Sequence, residues 1–150
     1  MMIRHFNFED EIHHQLACVP MAVRRKLDRV GLKISLEQWQ ALGHGERLAV
    51  CHLPTAAAEE CDAMRIFLDE AIRARGPGTA KPLPNEVRSA AEPPNAPPAQ
   101  LVENARAAGV AVGQAQWDRL DADERYALIK LGGGAQCSHN FTTALQELLR

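Results

Sequence analysis

No Cys-x-x-Cys pair occurs in this chain; its four cysteines, Cys18, Cys51, Cys61 and Cys137, are scattered. That spacing gives neither a redox motif nor the doubled ligand pairs of a structural zinc site, and in a reducing compartment it predicts buried or free thiols. No apolar run approaches the roughly 20 residues of a membrane-spanning helix. Met1-Met2-Ile3-Arg4-His5 lacks the apolar core of a secretory signal, so the cytoplasm is the expected location and no membrane partner is expected. Charge of one sign is missing too: 17 Lys and Arg against 19 Asp and Glu leave a net charge of −2. Nothing there draws the chain to nucleic acid. The run Gly132-Gly133-Gly134 is followed by no Gly-Lys-Ser/Thr, which excludes a P-loop. No serine–histidine–acid pattern and no pair of acids on one apolar helix face is present. The reading is therefore a non-enzyme with no catalytic residues, no metal and no cofactor.

What the chain does have is a repeat. Sliding the sequence by 78 positions superimposes Pro20 on Pro98, Gly31 on Gly109, Gln38-Trp39 on Gln116-Trp117 and Leu42 on Leu120. Glu46-Arg47 then meets Glu124-Arg125, Ala49 meets Ala127 and Leu53 meets Leu131, giving 9 identities over 34 ungapped positions. Self-similarity at a fixed offset is an architectural signature, because each unit needs a neighbour to bury its apolar face. The length of 150 residues suits a single domain with a real core. The expected fold is all-α: one related multi-helix unit over about 18–75, a second over about 98–150, and a Pro-rich strap at 76–98. That strap holds seven of the nine prolines and is expected to be extended rather than helical.

Helical periodicity dominates the units and strand alternation is nearly absent. Phe8, Ile12 and Leu16 predict a short helix over 8–16, and Val23, Leu27 and Val30 one face of a helix that Pro20 opens from its first position and Gly31 closes. Ser35-Leu36-Glu37-Gln38 reads as a capping box, with Leu36, Trp39 and Leu42 inward. Helices near 44–53 and 122–131 follow, carrying Leu48, Cys51, Tyr126 and Ile129. Thr55 is expected to cap a helix with Cys61, Met64, Leu68, Ala71 and Ile72 inward, and Ser138 to cap a last one with Phe141, Ala144, Leu145, Leu148 and Leu149 inward.

The residues that could carry chemistry each have a structural reading beside the functional one. Trp39 and Trp117 could anchor a partner, but their equivalent inner positions favour the core. Glu46 and Glu124 complete capping boxes, and Arg47 and Arg125 reach a neighbouring helix end. Cys18, Cys137 and His139 are the ligands a small metal or redox carrier would use. Arg24, Arg25, Lys26, Arg29 and Lys33 give a basic stretch that a helical DNA-binding regulator could use; the second copy, with Glu103 and Asn104, does not repeat it. Because the repeats differ most in charge here, the partner-binding surface is expected at Cys18, Met21, Arg24, Arg25, Lys26 and Asp28.

The run from Cys18-Val19-Pro20-Met21-Ala22-Val23-Arg24-Arg25-Lys26-Leu27-Asp28 through Gly31 to Trp39 resembles the nitrate reductase-associated protein family. Phe6-Asn7-Phe8-Glu9 and the segment from Gln116-Trp117 to Leu131 resemble it as well, so the similarity spans nearly the whole chain. The resemblance implies an accessory role in making an assimilatory nitrate reductase active, with that enzyme or its maturation machinery as partner. It brings no active site. The tail from Gly132 to Cys137 is more glycine-rich than the family pattern.

Overall fold

A chain with helical periods at nearly every apolar position folds as helices. The computed structural model describes residues 3–149. Among them ten α-helices, one 3-10 turn (Asn7–Glu9) and two strands of two residues each follow one another. The chain divides into two compact units, one made of the residues up to His5 with Glu9–Ala91, the other of Phe6–Phe8 with the chain from Glu92 onward.

Unit one holds α1 (Asp10–Gln15), α2 (Met21–Val30), β1 (Leu32–Lys33), α3 (Leu36–Ala41), α4 (His44–His52), α5 (Ala58–Arg75), β2 (Lys81–Pro82) and α6 (Asn85–Ser89). Its core joins Val23, Leu27 and Val30 of α2 to Trp39, Leu42, Val50 and Cys51, and to Met64, Leu68, Ala71 and Ile72 of α5. β1 and β2 pair antiparallel, Leu32 opposite Pro82 and Lys33 opposite Lys81, and α6 packs on α2. Unit two holds α7 (Ala99–Ala107), α8 (Gln114–Asp118), α9 (Ala122–Gly132) and α10 (Phe141–Leu148), with α9 packed against both α7 and α10.

The caps explain the boundaries. Ser35 Oγ accepts the Gln38 N–H at 3.0 Å while the Gln38 side chain accepts the Ser35 N–H at 2.9 Å, so the expected capping box forms. Asp121 and Glu124 make the same reciprocal pair, at 2.8 and 2.9 Å. Gly31 and Gly109 both close their helices at φ +85°, a conformation that favours glycine.

Five expectations need correction. The first helix begins only at Asp10, because residues 7–9 form the tighter 3-10 turn, and Leu16 ends it at φ 54°. Pro20 is the N-cap rather than the first helical residue, and Pro98 likewise. Thr55 and Ser138 cap no helix; the N-caps are Ala57 and Asn140, the first supported by the Glu60 side chain accepting the Ala57 N–H at 2.8 Å. Leu36 is 51% exposed rather than inward, because on this short helix Trp39 takes the core-facing position. Finally, the Pro-rich segment is not extended throughout: residues 85–89 form α6, started by Pro84 at its N-cap.

Candidate functional site

The residues expected to bind a partner begin at α2, and most of them serve the fold. Met21 is buried, and its N–H, left over at a helix N-terminus, is accepted by Glu9 Oε2 at 2.8 Å. Arg25 Nε donates to the Ala91 carbonyl at 2.8 Å. Lys26 Nζ donates to the Cys51 and Leu53 carbonyls at 2.5 and 2.8 Å, and to that of Val50 at 3.4 Å, so its charge sits on the negative end of α4. Asp28 is half-buried. Of the six, Arg24 is exposed, leaning on the Val19 carbonyl at 3.4 Å, and Cys18 is half-buried.

The repeat residues fall into matching roles. Trp39 and Trp117 are fully buried, and each donates its indole N–H to a carbonyl, of Leu16 at 2.8 Å and of Pro94 at 2.9 Å. Arg47 Nε donates to the Trp39 carbonyl at 3.2 Å and Arg125 Nε to that of Trp117 at 3.2 Å. Glu46 and Glu124 each accept the N–H of the residue three before them, Gly43 at 2.8 Å and Asp121 at 2.9 Å. Even Lys26 has a counterpart: Asn104 Nδ2 donates to the Gly132 and Gly134 carbonyls at the end of α9, both at 2.8 Å. By sequence the two positions differ in charge; in the fold they make the same cap with two chemistries.

Sequence reasoning did not find a cleft of about 1150 Å³ in unit one. Four of the six histidines, His5, His13, His14 and His52, line it together with Cys18, Cys51, Asp10 and the exposed Leu48. Its geometry starts at α1. His5 Nε2 lies 2.6 Å from Asp10 Oδ1, and the His5 ring stacks on that of His13 at 4.0 Å. The His13 side chain is only 9% exposed, with Nε2 3.8 Å from Glu9 Oε1 and no hydrogen-bond partner. Burial, helped by His5 and opposed by Asp10, holds the His13 pKa below the ordinary imidazole value, so the ring is neutral near pH 7. Burial pushes the Cys51 thiol up, with the Lys26 ammonium opposing, which keeps it a thiol. The adjacent His13-His14 pair was visible in the sequence; its meeting with His5 and His52 depends on how α1 and α4 lie.

The two other residues expected in a metal carrier, Cys137 and His139, are exposed in unit two, whereas Cys18 belongs to unit one. Among the described residues no three His, Cys, Asp or Glu side chains converge closely enough to hold a metal ion. No described helix is long and apolar enough to cross a membrane.

Fold and site together define a small helical protein in which Glu9, Lys26, Glu46, Glu60 and Glu124 satisfy helix ends and four histidines line a cleft of unit one. The chain belongs to the conserved nitrate reductase-associated protein family, whose model matches residues 5–148. No curated protein and no solved structure matches the chain significantly.

Proposed function

We propose that this protein is a non-enzymatic accessory factor that helps an assimilatory nitrate reductase become active by binding it or its maturation machinery in the cytoplasm. The observation that carries this reading is membership of the nitrate reductase-associated family over nearly the whole chain. We further propose that the two units arose by internal duplication, joined by a strap over 76–98. The support is the 78-residue offset itself: α2, α3 and α4 start at 21, 36 and 44, and α7, α8 and α9 at 99, 114 and 122.

The binding surface is placed on unit one, at Cys18 and Arg24. Cys18 forms part of the cleft wall, and Arg24 rests on the carbonyl of its neighbour Val19. Leu48 adds apolar surface to the same cleft, of the kind that a partner side chain covers. Cells lacking the protein should make nitrate reductase polypeptide with depressed activity per molecule, restored by the wild-type protein. Unchanged specific activity in those cells would refute the accessory role.

A further inference from the structure

The same turn is covered in unit one and bare in unit two. In unit one Leu83 N–H donates to the Gly31 carbonyl at 2.9 Å, and Leu32 and Lys33 lie opposite Pro82 and Lys81. Hydrogen-bonded and non-hydrogen-bonded pairs alternate in an antiparallel ladder. The Gly31–Leu83 bond therefore puts Lys33–Lys81 in a hydrogen-bonded position and Leu32–Pro82 in a non-bonded one, which is where proline, lacking an N–H, fits. Gly31 and Leu32 are buried as a result, and a Cβ on Gly31 would meet the Arg88 guanidinium at 2.8 Å.

The positions 78 residues later are Gly109, Val110 and Ala111. Gly109 has the same φ of +85° and donates to Arg106 at 2.9 Å, as Gly31 does to Asp28 at 3.1 Å. Yet Gly109 and Ala111 are exposed, and a Cβ on Gly109 would meet nothing within 4 Å. Among the described residues no backbone hydrogen bond reaches the Gly109 carbonyl or either polar group of Ala111.

We infer that residues 109–111 form an acceptor edge for an extended segment of a partner protein, bound by strand addition. The segment needs free backbone groups opposite Gly109 and Ala111 and tolerates proline between them, the pattern of Lys81-Pro82-Leu83. A second copy's strap is disfavoured as occupant, because each strap is already held on its own unit one at high effective concentration. The inference rests on the duplication reading, not on the identity of the partner.

The test uses the intact protein, isotope-labelled, titrated with a synthetic peptide of residues 79–91. Saturable amide shifts at Gly109–Val112, with Gly31–Lys33 unmoved, are expected. Methylating the backbone nitrogen of the peptide's Leu83 should weaken binding about tenfold, as should Ala111→Pro in a protein whose circular dichroism is unchanged. Shifts confined to Gly31–Lys33, no shifts, or indifference to N-methylation would overturn the proposal. So would a concentration-dependent dimer of the free protein that the peptide dissolves, which would assign the edge to a second copy. None of these readouts involves nitrate reductase, so the edge and the accessory role fail separately.

Discussion

Trp39 and Trp117 stand in the cores of the two units, each ring fully buried and each indole N–H satisfied. Either Trp→Ala change should cost about 3–5 kcal/mol in denaturant unfolding, and a loss below about 1 kcal/mol would mean the ring is dispensable to packing. The basic residues of α2 separate by partner rather than by charge. Arg24→Glu should leave stability within about 0.5 kcal/mol, as exposed substitutions do. Arg25→Glu removes the donor to Ala91 and should cost about 1.5 kcal/mol; equal effects would contradict the assignment. At this scale the tryptophans and the Glu-Arg pairs were legible, because their types and spacing repeat. The role of Lys26 was not, since nothing in its own neighbourhood reveals that its acceptors lie 24 to 27 residues away.

Helix ends and helix contacts decide the element scale. Capping boxes are local, so Ser35–Gln38 and Asp121–Glu124 could be read from sequence; Thr55 and Ser138 were false signals of the same chemistry. The glycine run after α9 has a packing reason that composition hides. A Cβ on Gly132 would lie 2.1 Å from the Phe141 ring, so glycine lets α10 close on α9. Gly132→Ala should therefore destabilise by about 1–3 kcal/mol or more through overpacking, and a neutral melting temperature would show that α10 can shift freely. On α1, the lowered pKa of His13 links folding to pH. The folded state binds this proton less readily than the unfolded state, so stability falls as pH drops through about 6.5 and levels off below the folded pKa. His13→Gln should flatten that part of the pH–stability curve; an identical slope in the variant would remove His13 as its source.

For the molecule as a whole, the 78-residue offset made the helical class and the recurring helix starts readable before any coordinates. The Pro-rich segment was only half readable. Proline content predicted extended backbone, but the proline-free residues 85–89 turn into a helix against α2, a contact that composition does not encode. The histidine cleft was invisible for a related reason: its walls come from chain segments some 40 residues apart, held together by the core of unit one. The accessory role rests on family membership, and it makes one direct demand, a physical partner. Affinity-tagged protein recovered from nitrate-grown cells, with captured proteins identified by mass spectrometry, tests it. The account predicts assimilatory nitrate reductase or a component that matures it, in reproducible near-stoichiometric yield, and reduced yield for Arg24→Glu. Recovery of the tagged protein without either, under conditions where active nitrate reductase is present in the extract, would contradict it.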